Sequence, residues 1–327
     1  MKKALRRGLL YALPFLVCLL VLPLCFRTSR ERGMKDDGLS GMPDTLRCVI
    51  TLRDEPGKGL AAGFHYALYK KYLEESGQTA SVLFSGPGPA WTDSLLGRSA
   101  DILVSAAPDS LPPGLMMTRP FSDGTVWILR DDGIGQIRGI NTWIAGLLPT
   151  DYYARQRRAF FRKEGDRSSL SPYDGMVRKY ARKIHWDWRL LSSLIYHESR
   201  FSIDAASPKG AVGLMQVIPR HHDAEQLFDP ENNIRTGTDY LQKLEKMFQP
   251  VSADETECLK FTLAAFNAGE GNVLKFIHYA AQQEADSTRW DAVVTAAREM
   301  DGFKKSTVAY VDTVLATYQA YSRLYKE

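Results

Sequence analysis

Cysteine is scarce in this chain: there are four in 327 residues, with no CxxC pair and no Cys/His cluster. That excludes a disulfide framework and a zinc-finger-like metal site. Histidine is scarce too, with six in all. His197-Glu198 could open an HExxH zinc-protease motif, but position 201 is Phe, so the motif fails. His221 and His222 are adjacent rather than four apart. A glycine-rich phosphate loop and a nucleophile elbow are both missing. No metal and no cofactor are expected. A large excess of one charge is also missing. The formal net charge of +4 is too mild to argue for nucleic acid, although it suits an anionic polymer. With 44% hydrophobic and 24% charged residues the composition is that of a globular protein, and the length leaves room for two ordinary domains.

What is present begins with an apolar run from Gly8 to Phe26, preceded by Lys2, Lys3, Arg6 and Arg7. Its 19 residues match a bilayer-spanning helix and exceed the usual signal-peptide core. No small-x-small cleavage pattern follows, and neither Val17-Cys18 nor Leu24-Cys25 supplies a lipobox. Residues 1–33 are therefore expected to be an uncleaved membrane anchor, with a removed signal as the alternative. The remainder is expected outside the cytoplasm, in the periplasmic part of a cell envelope. Cys18 and Cys25 fall in the apolar run, while Cys48 and Cys258 are expected as buried free thiols.

Residues 34–165 read as an α/β domain. After a Gly- and Asp-rich linker, strands are expected at 46–52, 80–84, 102–105 and 125–129, and helices at 60–76, 91–96 and 134–148. Alternating strands and helices predict a layered structure with a parallel sheet. The order resembles one lobe of a periplasmic solute-binding domain of the amino-acid-binding kind. Gly63-Phe64-x-Tyr66-Ala67-Leu68, Ala100-Asp101-Ile102 and Gly139-Ile140-Asn141-x-Trp143-Ile144 carry that likeness. With the second lobe missing, a spacer or a docking platform for cell-wall proteins is expected in place of a solute clamp. Arg155, Arg157, Arg158, Arg162 and Lys163 read as a solvated basic face.

From 166 to 327 the pattern is helical throughout. The central stretch is Trp188 to Gln216. Trp188, Leu191 and Ile195 make an apolar stripe, and Glu198 is the next position on it. A carboxyl group placed where an apolar side chain is expected tends to keep its proton, as a general acid must. The turn-rich Ser207-Pro208-Lys209-Gly210-Ala211-Val212-Gly213 follows. Asp204, Asp223, Asp229 and Asp239 read as caps or surface charges, and Val217 and Ile218 as core.

Glu198-Ser199-x-Phe201, Ser207 and Gly210-Ala211-x-Gly213-Leu214-Met215-Gln216 resemble the signature of the lysozyme-like (SLT-type) lytic transglycosylases. The likeness is to the membrane-bound F type, here with a truncated solute-binding-like domain. Asn233-Ile234-x-x-Gly237-x-x-Tyr240-Leu241, Ala264-Ala265-Phe266-Asn267-Ala268-Gly269 and Thr307-x-x-Tyr310-Val311 follow in the family's order. The fold class expected is therefore α+β multidomain: a membrane helix, a one-lobe α/β domain and an all-α lysozyme-like domain.

The resemblance implies cleavage of peptidoglycan glycan strands at the bond between N-acetylmuramic acid and N-acetylglucosamine. Glu198 would be acid first and base second, leaving a 1,6-anhydro sugar and giving a bell-shaped pH profile governed mainly by one group. Hydrolases of the ordinary kind need two carboxylates, and no second acid holds a matching motif position. Substrate contacts implied are Ser207, Met215, Gln216, Phe266, Asn267 and Tyr310, the last as a cleft wall. The family places Tyr at 266, where its hydroxyl faces the acid, so Phe266 departs from the pattern. A lysozyme-type hydrolase and a catalytically weak cell-wall scaffold are the alternatives.

Overall fold

The computed structural model describes residues 45–84, 90–162, 166, 168–219 and 226–326. The expected anchor at 1–33 lies outside them, as do the linker before residue 45 and His221, His222 and Asp223. Among the described residues no helix is long and apolar enough to cross a membrane. The chain divides into two compact units. One comprises 1–48, 69–80 and 88–150, and the other 49–68, 81–87 and 151–327.

The first unit holds most of a five-stranded sheet of order β4-β1-β5-β7-β6. The strands are β1 (Thr45–Ile50), β4 (Thr79–Phe84), β5 (Ile102–Ala106), β6 (Leu115–Met117) and β7 (Thr125–Arg130). Helices α1 (Ala61–Ser76), α2 (Ala90–Leu96) and α3 (Ile134–Leu147) accompany them. The expectation of a parallel sheet is corrected for the β5–β7–β6 half. β7 runs antiparallel to both β5 and β6, with Leu103 opposite Ile128 and Met116 opposite Leu129. No helix links β5 to β7, so the crossover that a parallel pair requires is absent. The three-residue β6 is too short to show a period in sequence.

The core of this unit is aromatic. Trp127, fully buried on β7, has the rings of Tyr69, Tyr72, Phe121 and Trp143 at centroid distances of 5.6, 5.6, 5.7 and 5.6 Å. One buried carboxylate joins β1 to β5. Asp101 accepts from the Arg47 backbone N–H at 3.0 Å and from its guanidinium at 3.0 and 3.1 Å. Arg130 stands 3.6 Å away.

The second unit is helical. It contains α4 (Asp151–Phe160), α5 (Asp174–Lys183), α6 (Trp188–Ser199), α7 (Pro230–Phe248), α8 (Glu255–Ala268), α9 (Glu270–Gln282), α10 (Trp290–Ala297) and α11 (Lys305–Leu324). Asp187, Asp229 and Asp254 cap α6, α7 and α8 by accepting from backbone N–H groups of the first turn, and Pro230 opens α7. In its core Phe248 stacks on Phe261, which meets Trp290 edge to face. The hairpin β2 (Asp54–Glu55)–β3 (Gly59–Leu60) and the start of α1 also belong to this unit. A side chain at Gly63 would meet the Tyr173 hydroxyl and the Phe160 ring at 2.6 and 2.8 Å, so glycine is needed for that approach. Tyr66 donates to Asp229 at 2.6 Å. Cys48 and Cys258 are buried free thiols, as expected.

Burial alone would push the Asp101 carboxyl up, but the hydrogen bonds and charge of Arg47, with Arg130, hold it below its ordinary value of 3.8. The stability it contributes is therefore present above that value and is lost as pH falls through the lower, folded one. Asp101→Asn should destabilise the first unit by roughly 3 kcal/mol at pH 7, with the gap to wild type narrowing toward pH 3. Denaturant unfolding at the two pH values measures it.

Candidate active site

The site is built on α6. Trp188, Leu190, Leu191, Leu194 and Ile195 are all buried, and the stripe they form carries Glu198 partly into the interior in the last turn. Burial pushes its carboxyl up to about 7 from the ordinary 4.5, against a hydrogen bond that lowers it. That bond is donated by the Tyr310 hydroxyl on α11 to Glu198 Oε1 at 2.6 Å. Burial first, then the charge of Glu198, pushes the Tyr310 phenol well above its ordinary value, so it stays a donor.

Beyond Ser199 the chain leaves the helix through two left-handed residues, Arg200 (φ 52°) and Phe201 (φ 65°). Each non-glycine residue in that region costs about 1–2 kcal/mol. Burial of the Phe201 ring and a Ser202 N–H to Ser199 carbonyl bond of 3.0 Å offset part of that cost.

The segment 205–217 folds as a compact turn. Ser207 accepts from the Ala211 N–H through its hydroxyl at 3.0 Å and donates its own N–H to the Ala211 carbonyl at 2.8 Å. Gln216, at φ 48°, donates its amide to the Ala205 and Gly213 carbonyls, both at 3.1 Å. Asn233 on α7 is fully buried and clamps the turn. It accepts from the Met215 N–H at 2.7 Å and donates to the carbonyls of Val212 and Leu227 at 2.9 and 2.7 Å. A side chain on Gly213 (φ 74°) would meet the Asn233 amide at 2.3 Å, so this glycine is required. The Ser199 hydroxyl donates to the Leu214 carbonyl at 2.8 Å, which ties the turn to the end of α6.

The expected site residues divide by placement. Glu198 and Tyr310 are joined directly. Asn267 is exposed at the end of α8 and accepts from Thr307 on α11 at 3.2 Å, three residues before Tyr310. Ser207 and Gln216 are partly exposed on the turn. Phe266 is partly buried against Tyr240, with ring centroids 5.8 Å apart, and Tyr240 donates to Glu270 at 2.6 Å. Met215 is different. Its side chain is fully buried on Gly237, so in this structure it supports the turn from beneath and offers no surface to a ligand.

The phenol facing Glu198 is that of Tyr310, which was expected as a cleft wall. Two readings change. Asp204, read as a cap or surface charge, is buried, accepting from the Ser202 hydroxyl at 2.6 Å and from Arg53 at 3.2 Å. Ile218, read as core, is 45% exposed. Asn233 was visible in its motif but not as a clamp. His197 pairs with Thr317 at 2.7 Å, away from Glu198.

Residues 175–288 match the family model described as Transglycosylase SLT domain. The membrane-bound lytic murein transglycosylase F of Yersinia pestis (strain Pestoides F) is 36% identical over 124 residues, which is 37% of this chain and 25% of that protein. Its counterpart in Desulfosudis oleivorans is 32% identical over 147 residues, or 43% of this chain and 32% of that protein. The matched region thus spans about a quarter to a third of these relatives' length. Among solved structures, the 70 kDa soluble lytic transglycosylase of Escherichia coli is 27% identical, covering 47% of this chain and 24% of its own, with a TM-score of 0.38. Over residues 175–288 the helical unit of this chain is thus similar to the transglycosylase SLT domain.

Proposed function

We propose that the protein is a peptidoglycan lytic transglycosylase with Glu198 as its single acid/base. The observation that carries this reading is the Glu198 carboxyl, largely buried at the end of α6 and accepting from the Tyr310 hydroxyl at 2.6 Å; burial pushes it up to about 7, and no other carboxylate among the described residues contributes to that shift. A group of that kind is half protonated at neutral pH, which suits a general acid. Glu198 gives its proton to the oxygen between the muramic C1 and the glucosamine, and the C1–O bond breaks. The carboxylate then takes the proton of the muramic C6 hydroxyl as O6 closes on C1. The acid is regenerated and no water is consumed, so a second carboxylate is not needed. Tyr310 holds one carboxyl oxygen and leaves the other for the glycan. Ser207, Gln216 and Asn267 are the proposed sugar contacts, and the Phe266 ring is proposed to line the cleft.

The same reading places residues 1–33 as a membrane anchor, 34–165 as a truncated solute-binding-like domain and 166–327 as the catalytic domain, on the periplasmic side of the envelope. Its support is the apolar run in the sequence and the membrane-bound name of the relatives. A docking role for the middle domain toward cell-wall proteins belongs to this proposal.

Mass spectrometry of muropeptides released by the full chain should find 1,6-anhydro ends. Reducing muramic acid would instead indicate a lysozyme-type hydrolase, and no release a binding scaffold. Glu198→Gln should abolish release. The same variant should be more stable than wild type at pH 8. The folded carboxyl has its pKa raised from 4.5 to about 7, so wild type loses stability as pH rises through that window, whereas Gln mimics the protonated form. The gain should be on the order of 1–3 kcal/mol at pH 8 and near zero below pH 4.

Because the acid returns to its protonated form each cycle, one group should give turnover a single alkaline limb near pH 7 in place of the bell expected from the sequence. Tyr310→Phe removes the bond that lowers the Glu198 pKa, so its limb should move to higher pH; a limb that stays in place would remove Tyr310 from the titration.

A further inference from the structure

Glu198 stands one residue from the end of α6, and the backbone that follows is unfavourable by itself. Arg200 and Phe201 both have positive φ. The next segment is held from far away in the chain. Ile203 N–H donates to Asp54 Oδ2 at 3.1 Å across a separation of 149 residues. The other Asp54 oxygen accepts from the Gly63 N–H at 3.0 Å. Arg53, beside it, reaches Asp204, beside Ile203. Two neighbouring residues of the β2 segment thus hold two neighbouring residues of the turn. Asp54, Ser202, Ile203 and Asp204 are all buried, so little water competes for these bonds.

A carboxylate with one oxygen on each of two backbone N–H groups has a narrow choice of positions. Gly63 fixes one side of it, because the start of α1 is pressed against Phe160 and Tyr173. The other side is then a fixed acceptor for the Ile203 N–H. Without that acceptor the N–H would be buried and unpaired, and the left-handed pair before it would have less to hold it.

We propose that Asp54 is a positioning residue for Glu198. By holding the Ile203 N–H it fixes the left-handed turn that ends α6, and so keeps the Glu198 carboxyl within reach of Tyr310. The hairpin β2–β3 is thereby part of the acid's support, although no SLT sequence motif includes it and the matched region begins at residue 175. The kinetic part of this inference rests on Glu198 being the catalytic acid; the structural part does not.

The test uses the full chain with Asp54→Asn and Asp54→Ala. Asn keeps one acceptor oxygen but sets an NH2 group against one of the two backbone donors. Amide exchange at residues 201–204 should quicken at least tenfold in the Ala variant and less in Asn, with exchange in α7 and α8 unchanged. Carbon-13 NMR of the Glu198 carboxyl should show its midpoint moving from about 7 toward 4.5 as the group turns to solvent. Turnover should fall at least tenfold with the half-saturating glycan concentration unchanged, and Asn should recover part of it. Faster exchange with an unmoved Glu198 titration would make Asp54 a structural latch only and overturn the proposal. So would wild-type titration and turnover in a folded Asp54→Asn chain, should the Ala variant not fold. If wild type releases no anhydro product, the functional reading fails, and the Glu198 midpoint in the variants still decides the role of Asp54.

Discussion

One carboxyl group, shielded from water and touched by one phenol, is the constraint on which the helical unit depends. Glu198 pays for its position on the apolar stripe of α6 with a poorly solvated charge, and that raises its pKa. The Tyr310 bond works the other way, because a hydroxyl donor favours the ionised form. The balance falls about 7, where neither protonation state is far from reach. A fully exposed Glu would be ionised throughout the neutral range, and one with several donors would be too weak a base to hold its proton. The surrounding structure keeps this balance by keeping other charges away.

The chain's other buried carboxylates show that burial alone does not set the outcome. Asp101 is buried too, yet the Arg47 guanidinium and Arg130 bring it below its ordinary value. Asp54 has backbone donors in Gly63, Ile203 and Ala62, but burial and the nearby Asp204 still push it up to about 7. In each case the partner decides: a cation ionises the group, while neutral donors only moderate the cost of desolvation. The turn beside Glu198 follows the same rule. Its clamp is the neutral Asn233, which satisfies one N–H and two carbonyls and adds no charge near the acid.

The helices were legible because their signals are local. Asp229, read as a cap or surface charge, is the cap of α7, with Pro230 opening the helix behind it. Glu198 stood out because a stripe with a period of three to four exposes a misplaced charge. The sheet's direction was not legible. β7 is buried on both faces and β6 is three residues long, so neither states its partner's direction. The bond from Tyr310 to the carboxyl was not legible for a related reason: Tyr310 lies 112 residues from Glu198, and whether a cleft-wall aromatic reaches the carboxyl is a matter of helix packing. Asp54 gave no signal, because Arg53-Asp54-Glu55-Pro56-Gly57 reads as an ordinary polar turn.

Phe266 then acquires a physical meaning. A tyrosine there, aimed at the acid as the family likeness implies, would be a second phenolic donor to a carboxyl that already has one. Each such donor favours the ionised form. With Tyr310 alone the balance is about 7; a second donor would draw it lower and leave less of the acid protonated at neutral pH. Phe266 keeps the ring that packs on Tyr240, and the Tyr240 hydroxyl is directed to Glu270. The missing hydroxyl therefore costs no packing and leaves Glu198 with its phenol partner. What it removes is a pull toward ionisation, which a group that must begin each cycle protonated can do without.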